Sequence, residues 1–322
     1  MYSDNGSPAA VGEIAIELPP FLRVYKDGRV ERLLHSPFVP ASEDPNATGV
    51  ATRDVFIDCE TGVAARLFLP ASHATTITGR TLPVVVYLHG GSFIAESAFG
   101  RRYHRYATAL AKRATALVVS VEFRLAPEHP VPAPYDDAWA ALRADPGRLF
   151  VAGDSSGGVM AYHTAVRASR SGLEMEGLIL VHPYFWEAER LPSELVSESF
   201  LKPDLSDKLW WTATAGRVGK DDPTINPADE DIASLRCRRV LVAVAEKDIV
   251  RERGRRFADT MRVYGWGSNV TLVESARKDH AFHLADRSPP SAAAIELNDR
   301  IAEFINKRET SPSLPPRANN SL

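Results

Sequence analysis

The sequence has few cysteines and no long apolar run. Only Cys59 and Cys237 occur among its 322 residues, so a disulfide framework is not indicated and a reducing compartment is expected. The longest apolar stretches, Leu82–Leu88 and Ala116–Val121, are much shorter than the roughly 20 residues that a membrane-spanning helix needs. The N-terminal residues lack the basic and apolar regions of a secretory signal. These absences predict a cytoplasmic protein without a membrane span.

Charge and motif content exclude several classes of partner. The 38 basic and 41 acidic residues give a net charge of −3, which does not favour nucleic acid. The sequence has no phosphate-binding loop, no dinucleotide fingerprint and no metal-binding cysteine spacing, so no cofactor and no metal are predicted. We expect the basic clusters Arg236–Arg239 and Arg251–Arg256 to lie on solvated faces.

Strand-like and helix-like segments alternate along most of the chain. This alternation predicts an α/β fold, with a mostly parallel sheet covered by helices on both faces. We expect a single domain over residues 1–322, with a disordered tail at about 308–322. The stretch 187–226 breaks the alternation and is interpreted as an inserted cap element. The predicted sheet strands include Val84–Leu88, Ala116–Val121, Leu149–Ala152, Leu178–Val181, Val240–Ala245 and Val270–Val273.

The sequence Gly153-Asp154-Ser155-Ser156-Gly157 is the strongest chemical signal. It follows an apolar strand and precedes a helical pattern, which is the context of a nucleophile elbow. The flanking glycines allow close backbone approach, and the turn exposes the serine hydroxyl at the carboxyl edge of the sheet. Ser155 is preferred over Ser156, because Ser156 has Asp154 instead of glycine two residues before it.

A second glycine-rich loop, His89-Gly90-Gly91-Ser92-Phe93, directly follows a predicted strand. A tetrahedral intermediate needs backbone N–H groups aimed at its oxyanion, and a loop beside the elbow can supply them. The amide of Ser156, the residue after the nucleophile, is expected to help. His89 is interpreted as a loop-shaping residue and not as a catalyst.

A serine nucleophile still requires a base and an acid, which should follow it in the order acid, then histidine. Asp248 lies at the carboxyl end of one predicted strand, and His280 lies shortly after the next. The spacing leaves alternatives open, because Glu246 and Asp279 could compete with Asp248, and His283 could replace His280.

With these motifs in place, the sequence resembles the plant carboxylesterases of the hormone-sensitive-lipase group. The resemblance extends from about residue 17 to residue 307, nearly the whole chain. Its blocks are Pro19–Arg29, His89–Gly91, Arg124–Pro130, Gly153–Gly158, His182–Trp186, Asp222–Pro227 and Ala245–Asp248.

The resemblance implies an α/β-hydrolase fold and resolves the open alternatives. It implies a triad of Ser155, Asp248 and His280. It also implies an oxyanion hole from Gly90, Gly91 and the following amide, which is that of Ser92. The implied cap combines an N-terminal part, about residues 1–48, with the insertion at 187–226. The block Arg124–Pro130 would brace the sheet near the elbow.

Three positions depart from the family pattern. Ser92 stands where a third glycine is frequent, although its backbone N–H remains. Val159 replaces a frequent asparagine just after the elbow. The segment Arg143–Leu149, between a Trp-Ala-Ala-Leu helix and the elbow strand, is shorter than usual, which predicts a tight loop.

The resemblance implies three possible functions. The first is a serine carboxylesterase acting on a small-molecule ester through an acyl-enzyme. The second uses the same triad as a lyase or transferase, as in 2-hydroxyisoflavanone dehydratases and tuliposide-converting enzymes. The third is a hormone receptor resembling the gibberellin receptors, which lack the catalytic histidine and are therefore a weaker match.

Apolar residues of the predicted cap suggest a small substrate. Trp210 and Trp211 in the insertion, with Phe21 and Leu22 near the N-terminus, are expected to surround the site. Such surroundings favour short acyl groups over long-chain lipids.

Overall fold

The computed structural model describes residues 12–71, 82–142, 148–285 and 289–307. Short connections join its strands to helices, as the alternation in the sequence predicts. Within these residues the strands are β1 Ile14–Leu18, β2 Leu22–Tyr25, β3 Val30–Arg32, β4 Val50–Asp58, β5 Val63–Pro70, β6 Val84–Leu88, β7 Leu117–Glu122, β8 Leu149–Asp154, β9 Met175–Val181, β10 Cys237–Ala245 and β11 Val270–Ser275.

Along the chain, most of the helices connect successive strands of the large sheet. In the part of the chain that the structure describes, no helix is long and apolar enough to cross a membrane. The α-helices are α1 Arg101–Ala114, α2 Ala133–Ala140, α3 Ser156–Arg170, α4 Pro192–Leu195, α5 Pro203–Ala213, α6 Asp229–Ser234, α7 Arg251–Met261 and α8 Ala292–Asn306.

The large sheet has eight strands in the order β11-β10-β9-β8-β6-β7-β5-β4. The six strands from β6 to β11 run parallel to one another, whereas β5 is antiparallel to β7 and β4 is antiparallel to β5. Because neighbouring parallel strands end at the same edge, the residues that follow β6, β8, β10 and β11 meet there.

Apolar side chains on both faces of the parallel strands form the core. Helices α1 and α8 cover one face, where Tyr87, Phe150 and Leu241 are buried. Helices α3 and α7 cover the other, where Leu88 and Val151 are buried. Strands buried on both faces read as continuous apolar runs, which explains why the central strands were predictable.

Several boundaries differ from the predicted ones. The sequence pattern predicts a helix over Val250–Tyr264, but α7 ends at Met261, and Gly265 beyond it has a φ of +86°, which interrupts regular helix. Strand β9 begins three residues before the predicted Leu178. The predicted disordered tail and most of the shortened loop, residues 143–147, lie outside the described residues.

The N-terminal residues form a separate three-stranded antiparallel sheet, β1-β2-β3. Helix α5, from the predicted insertion, contacts β1. Arg32 of β3 donates two hydrogen bonds to the carboxylate of Glu128, at 2.7 and 2.8 Å. Arg124 pairs with Asp137 of α2 at 2.7 Å, so the block 124–130 contacts both the small sheet and the large domain.

The two basic clusters are not uniformly solvated, and that expectation is wrong for one arginine in each. Arg239 is buried and pairs with Glu176 at 2.9 Å. Arg253 is buried and pairs with Glu194 at 2.5 Å. Partner carboxylates distant in the sequence make such burial possible, which a local charge pattern cannot reveal.

Candidate active site

The predicted nucleophile lies on the sharp turn between β8 and α3. Ser155 has a φ of +52° and a ψ of −122°, an unusual conformation for a residue with a side chain. A Cβ on Gly157 would collide with the carbonyl oxygens of Leu88 and His89, and one on Gly153 would meet the Gly157 carbonyl. Both glycines are therefore required for the turn to pack against strand β6.

Ser155, His280 and Asp248 form a chain of hydrogen bonds. The Nε2 of His280 is 2.8 Å from the Oγ of Ser155, and its Nδ1 is 2.8 Å from Oδ2 of Asp248. The second carboxylate oxygen, Oδ1, accepts the N–H of Val250 at 3.1 Å. All three members are buried. This arrangement can transfer a proton from the serine hydroxyl to a correctly oriented imidazole.

The environment of His280 favours its protonated form. Burial by itself lowers the imidazole pKa, but the charge and hydrogen bond of Asp248 oppose this effect, and the net result is a pKa above the usual 6.5. A base with a raised pKa accepts a proton more readily but must first lose one to act.

The competing residues have other partners. Glu246 is exposed and accepts the N–H of Arg277. Asp279 accepts hydrogen bonds from the Ser199 hydroxyl at 2.6 Å, from the Phe200 N–H at 3.1 Å and from the backbone N–H of His280 at 2.7 Å. The carboxylate of Asp279 thus holds the segment before α5 and does not face the imidazole nitrogens of the triad.

Two further histidines lie behind the triad. His283 is buried against Tyr106, and burial lowers its pKa to about 3. His182 is also buried, and its Nδ1 accepts the N–H of Ala281 at 3.2 Å. Burial keeps the pKa of His182 well below its usual value. In its neutral form His182 therefore holds the backbone directly after His280, a contact that the sequence did not predict.

Asp154, the residue before the nucleophile, has a structural role that the sequence did not predict. Its Oδ1 accepts the hydroxyl of Tyr87 at 2.6 Å and the N–H of Gly90 at 3.0 Å, and its Oδ2 accepts the hydroxyl of Tyr103 at 3.0 Å. Burial raises the pKa of Asp154 to about 6. The variable position of the elbow motif therefore connects the elbow to the glycine-rich loop.

The glycine-rich loop lies beside the nucleophile, but its first glycine differs from expectation. The N–H of Gly90 already donates to Asp154 and to Tyr103, so it fixes the loop and is not directed at an oxyanion. Gly91 and Ser92 line the cavity with Ser155. The side chain of Ser156 accepts the N–H of Phe93 at 3.3 Å, which ties α3 to the loop.

His89 has the structural surroundings expected of a loop-shaping residue. Its ring stacks on Phe123 with centroids 4.2 Å apart, and its Nδ1 is 2.7 Å from the Gly90 carbonyl oxygen. Burial lowers its pKa to about 4, so it is neutral near pH 7.

A cavity of about 260 Å³ opens onto Ser155 and His280. Its walls include Phe21 from the N-terminal segment and Phe200 and Leu201 from the insertion. The predicted lining by Leu22, Trp210 and Trp211 is wrong. Leu22 and Trp210 are buried in the core, whereas Trp211 is 56% exposed and lines a separate surface depression.

Comparison with known proteins gives consistent matches. A family model described as α/β hydrolase fold matches residues 85–284. Tuliposide A-converting enzyme b1, amyloplastic, from Tulipa gesneriana is 40% identical, and the alignment covers 93% of this chain and 82% of that protein. Probable carboxylesterase 5 of Arabidopsis thaliana is 37% identical, with coverage of 91% and 98%. These matches confirm the predicted resemblance.

Solved structures agree with the sequence comparisons. The hyperthermophilic esterase of the archaeon Pyrobaculum calidifontis is 28% identical with a TM-score of 0.69, over 79% of this chain and 85% of that one. The carboxylesterase EstE1, cloned from a metagenomic library, is also 28% identical with a TM-score of 0.69, over 85% and 90%. The predicted α/β-hydrolase fold is confirmed.

The expectation of a cytoplasmic location is wrong. The tulip relatives carry plastid names: one is called amyloplastic, and another, 38% identical over 88% of this chain and 77% of that protein, is called chloroplastic. Scarcity of cysteine indicates a reducing compartment, which does not distinguish the cytoplasm from a plastid.

Proposed function

This chain belongs to the α/β-hydrolase fold family, and from that premise we propose that it is a serine carboxylesterase that hydrolyses small carboxylic esters. The observation that carries the proposal is the pair of 2.8 Å contacts linking Ser155, His280 and Asp248 at the wall of a cavity. A buried serine–imidazole–carboxylate chain suits acyl transfer through a covalent intermediate.

In the first half of the proposed reaction, the Oγ of Ser155 attacks the ester carbonyl while Nε2 of His280 takes its proton. Asp248 holds the imidazole in the tautomer with its proton on Nδ1 and stabilises the imidazolium that forms. The charge on the carbonyl oxygen is stabilised by the backbone amides of Gly91, Ser92 and Ser156. Imidazolium then protonates the alcohol oxygen, which leaves.

In the second half, water replaces the alcohol. His280 takes a proton from water as it attacks the acyl-enzyme, and then returns that proton to Oγ of Ser155 as the carboxylic acid departs. The two halves use the same donors and the same base, so one set of residues serves both steps.

The cavity favours compact substrates. Its volume of about 260 Å³ is just below the range of roughly 300–1,000 Å³ that is typical of ligand pockets. Phe21, Phe200 and Leu201 provide apolar walls. We expect acetyl to hexanoyl esters to react faster than long-chain lipids. A higher kcat/KM on emulsified long-chain triglycerides than on butyrate esters would contradict this expectation.

A covalent probe tests the proposed nucleophile. An alkyl phosphonate with a p-nitrophenyl leaving group should add one phosphonyl group to the wild-type protein, at Ser155, and abolish turnover of p-nitrophenyl butyrate. Ser155→Ala should fold normally, take up no phosphonate and lose several orders of magnitude in kcat. Labelling at another serine, or full activity in Ser155→Ala, would refute the proposal.

The same triad supports a second candidate. Tulip relatives at 40% identity are named tuliposide A-converting enzymes, and we propose as the alternative that the triad catalyses internal acyl transfer or elimination in place of hydrolysis. Product analysis distinguishes them: hydrolysis incorporates ¹⁸O from labelled water into the released acid, whereas internal transfer and elimination do not.

The plastid names of these relatives also support a plastid location for this chain. A fluorescent fusion to the natural full-length protein in plant cells should coincide with a plastid marker. Diffuse cytosolic fluorescence would contradict this location.

A further inference from the structure

Two charged residues in the cavity, Glu96 and Arg102, have no role in the proposed mechanism. Glu96 lines the same cavity as Ser155, and its side chain is only 2% exposed. Its backbone has a φ of +71°, a conformation that residues with a side chain seldom adopt. Non-glycine residues held in this region concentrate at ligand-binding and catalytic sites.

The carboxylate of Glu96 is anchored but not saturated. Its Oε1 accepts Nη1 of Arg102 at 2.5 Å, and its Oε2 accepts the hydroxyl of Ser36 at 3.1 Å. A carboxylate offers about four acceptor sites, so two donors leave capacity for more. The two anchors fix the carboxylate at the cavity wall and preserve its ability to accept.

Arg102 supplies the complementary group. It lines the cavity beside Glu96, and its side chain is 31% exposed. A guanidinium carries five N–H donors, and the bond to Glu96 uses only one of them, at Nη1. An acceptor with spare capacity and a donor group with spare N–H bonds therefore belong to one ion pair.

We propose that Glu96 and Arg102 form a hydroxyl-binding subsite, so that the preferred substrate is an ester carrying an alcohol group on the part that lies along this pair. A hydroxyl donates one hydrogen bond and accepts others, which matches the pair. Because the pair carries no net charge, it favours a neutral hydroxyl over a carboxylate or an ammonium group. This inference rests on the proposed esterase function.

Matched esters test the subsite through a ratio. Glyceryl butyrate against propyl butyrate probes hydroxyls on the alcohol side, and propyl 3-hydroxybutyrate against propyl butyrate probes the acyl side. A site built to bind a hydroxyl discriminates strongly against an analogue that lacks it. We expect wild-type kcat/KM to favour one hydroxylated ester by about tenfold or more.

Glu96→Gln keeps the shape of the side chain but replaces an acceptor oxygen with a donor. It should bring the ratio of the two kcat/KM values close to one. Glu122→Gln is the matched control, because Glu122 accepts from Ser97 and from the Ala98 N–H in the same loop but does not line the cavity. It should lower the melting temperature and leave the ratio as in the wild type.

If Glu96 has only a structural role, Glu96→Gln should lower kcat/KM for both esters by the same factor and leave their ratio unchanged. That result would overturn the subsite. A wild type without preference for either hydroxylated ester would overturn it too. If Glu96→Gln does not fold, Arg102→Lys takes its place, because lysine keeps the positive charge but lacks the planar guanidinium and its five N–H donors.

Binding measurements test the subsite independently of ester hydrolysis, which is the proposed function. In the Ser155→Ala protein, calorimetry with the same esters measures affinity without turnover. A preference for the hydroxylated ester that Glu96→Gln removes supports the subsite even if the wild type hydrolyses no ester. Equal binding of both esters, or no measurable binding, overturns the subsite even if hydrolysis is established.

Discussion

Replacing Asp248 with asparagine is a sharp test of the active-site geometry. The side chain of Asp248 uses its two oxygens differently: Oδ1 accepts the Val250 N–H and Oδ2 faces Nδ1 of His280. In Asp248→Asn the amide oxygen can keep the bond to Val250, which turns the NH₂ group toward the imidazole. Nδ1 must then accept, and the ring proton moves to Nε2, the atom that faces Ser155.

An imidazole with its proton on Nε2 cannot accept the serine proton. In serine hydrolases this tautomer error reduces kcat by about 10⁴-fold, which corresponds to roughly 5 kcal/mol of activation free energy. We expect a loss of that size for Asp248→Asn. The fold should persist, because the change is isosteric and the Val250 hydrogen bond remains.

The assay is kcat and kcat/KM on p-nitrophenyl butyrate, with the melting temperature measured on the same samples. Asp279→Asn is the matched control, because Asp279 bonds to Ser199, to Phe200 and to the backbone N–H of His280, but not to the imidazole ring. It should stay within about tenfold of the wild type, since no triad bond is lost. A severe loss in Asp279→Asn with high activity in Asp248→Asn would refute the geometric argument.

Three further outcomes follow from the structure. Because the pKa of His280 lies above 6.5, kcat/KM should fall as pH drops through that raised pKa, and an acid limb centred below 6 would contradict this. The raised pKa also means that protonated His280 stabilises the folded protein. This stabilisation should be complete below about pH 6.5 and disappear as pH rises through the folded-state pKa. Gly157→Ala should yield little soluble folded protein, since its Cβ would meet the carbonyls of Leu88 and His89 at the end of strand β6, and a normal melting temperature would refute the requirement for glycine. Glu194→Ala removes the buried carboxylate from Arg253, which keeps Glu187 at 2.6 Å, and should lower the free energy of unfolding by about 1–3 kcal/mol. Glu43→Ala at an exposed pair should have no measurable effect in denaturant titrations, and equal effects would contradict the role of burial.

The sequence was sufficient for the sheet and the elbow because their determinants are local. Strands buried on both faces appear as apolar runs such as Val84–Leu88, and the predicted β6 has these same ends. The glycines around Ser155 are required by contacts with the adjacent strand, so the motif carries its own three-dimensional constraint.

Spacing alone could not choose among the acids and histidines, since several lie within a few residues of each other. The family resemblance favoured Asp248 and His280. The structure brings these two to Ser155, while Asp279 bonds to the segment before α5.

The sequence did not predict contacts between distant segments. The tryptophans of the insertion were expected at the cavity because they are aromatic, but helix α5 turns Trp210 into the core and leaves Trp211 exposed. The occupied N–H of Gly90 depends on Asp154 and Tyr103, which lie 64 and 13 residues away. No local pattern encodes which of two neighbouring glycines has its N–H occupied by other residues.

The chain separation of the three catalytic candidates has a consequence for refolding experiments. Ser155 and His280 are 125 residues apart, and they meet only when β8, β9, β10 and β11 have paired side by side. Parallel pairing between distant segments is slow, because chain entropy is lost before the contacts form. Regain of ester turnover after dilution from denaturant should therefore lag behind regain of the helical circular dichroism signal. The length of the lag would measure how long strands β8 to β11 take to pair.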